Sequence, residues 1–324
     1  MRNEDARPAQ RSSETLLARV GAVGESFPSF LLPDVTSADL AVGPPASGPG
    51  CWAGAPSVWL SDGVYYLAYR LRRPTGDRGY VVVVAASDDG VEFTTLTTLD
   101  KADFGAESLE RPSLVRLADG RWRLYVSCAV PRSFHWRVDA LDASDPSAFD
   151  ASRRITVLPG DENTAVKDPV VFEVAGTWFI WACCHPLGDP HATDRMYSLL
   201  GRSDDGIRWS FDGTEFRGTR GSWDARGARM ADVVRWGDHW IAFYDGRPSA
   251  TENGEEVTGV AVGPTLDDLR PLEAGPAAVS PWGSGSLRYI TVLPLGDDRF
   301  RLYYEACLPD GSHGLFTHAV GPTA

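Results

Sequence analysis

The chain has 324 residues, 43% of them hydrophobic, with 11 Trp, 13 Phe and 10 Tyr, and 31 Lys and Arg against 44 Asp and Glu give a net charge of −13. That length suits one large all-β domain or two average ones. The acidic balance excludes a nucleic acid or an anionic membrane as partner, because binding phosphates needs clustered positive charge.

Residues 1–25, opening "MRNEDARPAQRSSETLLARV", read as a flexible tail. They carry charges where a secretory peptide needs an apolar core, and no later stretch approaches eighteen apolar residues, which predicts a cytoplasmic protein. "SFPSFLLPDVTSADLAV", residues 26–42, is strand-like, and the Gly/Pro/Ala-rich residues 41–50 read as a connector.

Five similar segments follow. They are "APSVWLSDGVYYLAYR" from Ala55, "RPSLVRLADGRWRLYVSC" from Arg111, "DPVVFEVAGTWFIWACC" from Asp168, "RMADVVRWGDHWIAFYDG" from Arg229 and "RYITVLPLGDDRFRLYYEA" from Arg288. Their starts lie 56, 57, 61 and 59 residues apart. Each reads as a short apolar strand, a turn with Gly or Asp-Gly, and a strand dense in aromatics, which is hairpin chemistry. A second motif keeps the same period: "SDDGVEF" from Ser87, "SDPSAF" from Ser144, "SDDGIRW" from Ser203 and a degenerate "TLDDL" from Thr265. These turns are expected to join the outer strands, with the following Phe or Trp packed between units.

A unit of nearly 60 residues and about four strands is too long for a solenoid coil and fits a propeller blade. The fold class expected is therefore all-β, a five-bladed β-propeller in one domain over residues 26–324. Its blades fall near 50–108, 109–165, 166–225, 226–284 and 285–324, the last short by one strand that residues 26–42 would supply.

Within "VKDPVVF", Pro169 is expected to open a strand, since strands accept proline at their first residue. Lys167 and Asp168 then stand where innermost strands meet the central channel. Ala55, the Glu110-Arg111 pair, Arg229 and Arg288 hold the corresponding places, so a ring of ionisable groups forms and requires a ligand or mutual pairing.

The repeated Asp-Pro-apolar strand, the Gly-aromatic hairpins and the Ser-Asp-Asp-Gly turns resemble the five-bladed propeller glycosidases, families 43, 32, 68 and 130 of the glycoside hydrolases, over most of residues 50–320. In family 43 the resemblance implies an Asp base in blade 1, an Asp modulator in blade 3 and a Glu acid in blade 4. Asp168 in "KDP" matches the modulator, and the "RDP" aspartate of families 32 and 68. Ala55 stands at the place of the base and Ala228–Met230, "ARM", at the place of the acid. Glu110 in "ERP" resembles the Glu-Arg-Pro of family 68. Asp224 and Asp232 flank the start of blade 4, and Asp245 ends its second strand. The resemblance thus implies a glycoside-processing enzyme that hydrolyses or phosphorolyses a small glycoside, with Asp168, Glu110 and Asp232 as catalytic candidates.

Arg111, Lys167, His185, Asp224, Arg226, Arg229, Asp245 and Arg288 are candidates for substrate binding, because guanidinium forks suit anionic or hydroxyl-rich groups. The bland alternative for each charge is a strut between blades. "CCHP" at 183–186 is a weak zinc candidate, since adjacent cysteines on a strand face opposite ways. The five cysteines (Cys51, Cys128, Cys183, Cys184 and Cys307) read as reduced core residues. No metal or cofactor is expected, and the partner is a small sugar-like molecule. A non-hydrolytic biosynthetic enzyme or a ligand-binding cup is the competing reading, favoured by the missing base and acid.

Overall fold

A two-residue loop with positive φ at both positions makes a tight hairpin, because its twist matches that of the strands it joins. Asp62-Gly63, with φ of 54° and 78°, and Ala175-Gly176, with 51° and 83°, are such loops. The computed structural model describes residues 27–322 except Thr75 and Glu273, so the expected tail over 1–25 lies outside the described residues. Among the described residues the helical elements are three single 3-10 turns, and no helix is long and apolar enough to cross a membrane.

In chain order, β1 (Asp39–Val42) is followed by β2 (Trp52–Ser61), β3 (Val64–Arg72), β4 (Val81–Ser87) and β5 (Thr94–Asp100). Next come β6 (Leu109–Arg116), β7 (Trp122–Ala129), β8 (Trp136–Ala143) and β9 (Ile155–Leu158), then β10 (Thr164–Val174), β11 (Thr177–Pro186), β12 (Tyr197–Ser203) and β13 (Ser210–Phe216). β14 (Gly227–Trp236), β15 (His239–Arg247), β16 (Val257–Gly263), β17 (Arg270–Pro271), β18 (Leu287–Gly296), β19 (Arg299–Cys307) and β20 (His313–Val320) complete the set. β6–β9, β10–β13 and β14–β17 are four-stranded antiparallel sheets. The remaining eight strands form one sheet in which β2–β5 meet β18–β20 through a single parallel bridge, Trp52 to His313. β1 pairs antiparallel with β20, from within the segment expected to complete the last unit. The first strands touch in a cycle: β2 with β6, β6 with β10, β10 with β14, β14 with β18, and β18 with β2.

Apolar faces of neighbouring sheets fuse into shared cores. Leu114, Tyr125 and Val126 pack in one cluster with Trp59 of β2 and Ile180 of β11. Leu31 and Val35, ahead of β1, are buried with Ile241, Val292 and Phe300. The Ser-Asp-Asp-Gly turns join outer strands and dock on the second strand of a neighbouring unit. Ser87 Oγ accepts from Gly90 N at 2.9 Å, and Tyr303 Oη donates to the Gly90 carbonyl at 2.8 Å. Ser203 and Tyr125 repeat that arrangement at Gly206.

Each first strand carries a β-bulge at the same place. The pairing slips between Gly54 and Ser57, Glu110 and Pro112, Lys167 and Val170, Met230 and Asp232, and Arg288 and Thr291. Pro169 therefore lies inside β10, at its bulge, and does not open the strand as expected. A bulge leaves a residue unpaired, so proline loses no ladder bond there. In four of the five first strands a polar side chain just past the bulge ties the ring together. Ser57 Oγ accepts from Leu114 N at 2.9 Å, Ser113 Oγ from Val171 N at 3.3 Å, and Asp232 Oδ2 from Val292 N at 2.8 Å, while Thr291 Oγ1 donates to the Pro56 carbonyl at 2.9 Å.

Candidate functional site

The bulges set two tiers of side chains near the ring's centre. Gly54, Glu110, Lys167, Arg229 and Arg288 occupy the upper tier, and Ala55, Arg111, Asp168, Met230 and Tyr289 the lower. Arg229 and Arg288 thus correspond to Lys167, one place earlier than Asp168. Ala55, Asp168 and Tyr289 all have φ near +50° (55°, 52° and 55°), a region that aspartate tolerates and tyrosine resists. Tyr289 is held there because its N–H donates to Asp245 Oδ1 at 3.0 Å and its ring lies 3.8 Å below the Arg229 guanidinium.

The opposite partners of the upper tier are Arg70, Ser127, Cys183, Asp245 and Glu305. The charged members of the two sets join Arg72, Arg247, Glu256 and Asp168 in a largely buried chain of alternating charge. Arg72 Nη1 meets Glu110 at 3.3 Å, Arg70 bridges Glu110 and Glu305 at 2.9 Å each, and Arg288 Nη2 meets Glu305 at 2.7 Å. Arg288 and Arg247 both pair with Glu256. Arg229 reaches Glu256 at 3.6 Å, Asp245 at 2.8 Å and Asp168 at 3.2 Å, and Lys167 closes on Asp168 at 3.4 Å. Sequence reading missed Arg70, Arg72, Arg247, Glu256 and Glu305. For Arg70 and Glu305 a signal was present, because with Asp245 they share one repeat position near the end of the second strand, charged in three of the five units.

The electrostatics follow from burial against neighbours. Burial pushes Glu110 up, but Arg70, Lys167 and Arg72 outweigh it and hold the carboxyl at about 2. Glu305 and Glu256 are likewise buried, yet arginines keep both well below the usual range. Asp245 is raised, burial outweighing Arg229. His185 is held down at about 3 by burial and by Lys167, and its Nδ1 lies 3.1 Å from the Thr193 carbonyl. Its imidazole is therefore neutral near pH 7.

A cavity of about 650 Å³ opens at this end, and Glu110, Lys167, His185, Arg72, Trp136 and Asp194 are among its walls. Lys167 Nζ sits 4.6 Å over the Trp136 ring. Asp168, fully buried, receives Lys167, Arg229 and Tyr289 Oη on Oδ2, whereas its Oδ1 has no hydrogen-bond partner. Asp168, Arg229, Asp245 and Arg288 lie in the charge chain and do not line the cavity, which Asp168 meets only through Lys167. Arg111 crosses from β6 to donate to the Met230 and Ala231 carbonyls of β14.

The remaining candidates lie elsewhere. Asp232 accepts from Val233 N and Val292 N, cross-linking two first strands. Asp224 accepts from Thr219 N at 2.9 Å and Tyr244 Oη at 3.2 Å, shaping the loop before β14. Arg226 pairs with Asp194 and lines a second cavity of about 740 Å³ with Arg195, Arg217 and Arg220. In the "CCHP" stretch, Cys183 Sγ lies 3.6 Å from His185 Nε2, while Cys184 is buried at the repeat position of Cys128.

By sequence the chain matches no family profile and no curated protein. By structure it is similar to a thermostable family-43 glycoside hydrolase, with a TM-score of 0.66 and 16% identity over 86% of this chain and 95% of that one. A putative glycoside hydrolase from Parabacteroides distasonis gives 0.60 and 16% over 88% and 95%. The β-1,2-mannobiose phosphorylase from Listeria innocua, solved with β-1,2-mannobiose, gives 0.59 and 13% over 87% and 93%. The chain therefore has the fold of the solved glycoside hydrolases and phosphorylases of the propeller glycosidase superfamily.

Proposed function

We propose that the chain is a single five-bladed propeller that processes a small glycoside in the cavity lined by Glu110, Lys167, His185 and Trp136. The cyclic contacts of the first strands and the pairing of β1 with β20 support five blades. One observation carries the functional reading: Asp168, the residue matching the superfamily motif, keeps a buried Oδ1 without a partner. A buried carboxylate oxygen left open is costly unless something supplies a hydrogen. Lys167, a wall of the cavity, covers Asp168, and in this reading a sugar hydroxyl, or the water or phosphate that attacks the glycoside, reaches Oδ1 when Lys167 turns aside. Lys167, Arg72 and Arg78 on the same walls favour an anionic co-substrate, so phosphorolysis stands beside hydrolysis.

The test is a panel of nitrophenyl glycosides and disaccharides, with and without phosphate. Sugar release is the expected outcome, and phosphate dependence would assign phosphorolysis. A second reading, a sugar-binding cup without turnover, is favoured by Glu110, which its cations keep ionised and unable to act as a proton donor at neutral pH. Calorimetric binding of a panel sugar with no turnover would select it.

A further inference from the structure

At the junction of the first and last groups of strands, His313 opens β20 and is completely buried. Its ring is fixed twice over. Trp52 stacks on it with centroids 4.7 Å apart and planes 14° apart, and its Nδ1 lies 2.8 Å from Glu305 Oε1. Arg70 and Arg288 hold Glu305 in turn. The other nitrogen, Nε2, is thereby aimed at Glu255 Oε2, 3.1 Å away, with the Cys307 thiol beside them; the three ligand atoms all lie within 4.8 Å of one another. Gly283, at φ 55°, leaves room for the thiol, since a Cβ there would lie 2.4 Å from Cys307 Sγ.

We propose that Glu255, Cys307 and His313 bind a zinc ion. One sulfur, one imidazole nitrogen and one carboxylate oxygen are a zinc donor set, and thiolate disfavours magnesium and calcium. Two ligands about 2.0 Å from a tetrahedral ion stand about 3.3 Å apart, close to the separation of His313 Nε2 and Glu255 Oε2. Glu305 on Nδ1 completes the carboxylate–histidine–metal relay that orients zinc-bound imidazoles. The Glu255 side chain is 29% exposed, which gives the ion a way in. On binding, zinc takes the place of the hydrogen between His313 and Glu255 and of the thiol hydrogen, and both leave as protons. The ion would pin the loop carrying Asn253 and Gly254, two walls of the proposed sugar cavity, to β19 and β20. The zinc site stands whether or not that cavity processes sugars.

Cobalt(II) titration of the metal-stripped, full-length protein tests this without any variant. One equivalent should give a thiolate-to-cobalt charge-transfer band that zinc abolishes. Cys307→Ser should remove the band, and Glu255→Gln, at the exposed edge, should weaken zinc more than about tenfold with the fold unchanged by circular dichroism. No charge-transfer band in the wild-type protein, a band that survives Cys307→Ser, or unaltered zinc affinity in Glu255→Gln would each overturn the assignment.

Discussion

Gly54 and Glu305 compete for one space, and Glu305 holds it: a Cβ on Gly54 would lie 2.0 Å from Glu305 Oε2. Gly54 is the first strand's member of the upper tier, so the carboxylate at this part of the ring comes from β19 instead of β2. Arg70 and Arg288 anchor it and prevent it from yielding. Gly54→Ala should therefore cost at least the upper part of the ~1–3 kcal/mol typical of overpacking. Urea denaturation would show it, and Glu305→Ala in the same chain should remove the steric part.

Asp168→Asn should abolish sugar processing while the fold persists. Asparagine tolerates the φ of 52°, and Arg229 keeps Asp245 and Glu256 as partners. Loss of an electrostatic contact of this kind costs about 10²–10³ in turnover. Unchanged turnover, with circular dichroism matching the wild type, would make Asp168 a strut.

Acid should weaken the protein through Glu110. Its folded pKa is depressed from 4.5 to about 2, so the stability it contributes is complete above pH 4.5 and disappears as pH falls towards 2. The span corresponds to on the order of 3 kcal/mol. Glu110→Gln should flatten the pH dependence of the urea midpoint in that window. At neutral pH it should cost about 3–5 kcal/mol by leaving Arg70 and Arg72 undercompensated.

A chain beginning at residue 45 should melt well below the full chain. It lacks β1 and also Leu31, whose side chain is completely buried, and Val35. Losing one such leucine costs about 2–5 kcal/mol. A melting temperature equal to the full chain's would show that β20 does not need its partner.

The periodic hairpins made the sheets legible, because aromatic strands and Asp-Gly turns are local signals. The same period led to Asp168, Lys167 and Glu110. It did not reveal that Arg111 and Asp232 bond mainly to backbone groups, since carbonyls and amides across the ring leave no mark in sequence. Pro169 misled for a related reason: a bulge depends on the partner strand. Trp136 escaped notice because it starts β8, outside both repeated motifs, and only folding brings Lys167 over its ring.

The pairing of Leu40 with Phe316 has a consequence for biosynthesis. Within the three four-stranded sheets every pairing joins strands made in succession, so each of those sheets can assemble as it leaves the ribosome. β1 is synthesised before them all yet waits for β20, the last strand made. Throughout translation its backbone donors and acceptors are unmatched, and an unpaired strand is a template for wrong partners. β1 has only four residues and an acid at its head, Asp39, which limits that hazard until β20 arrives.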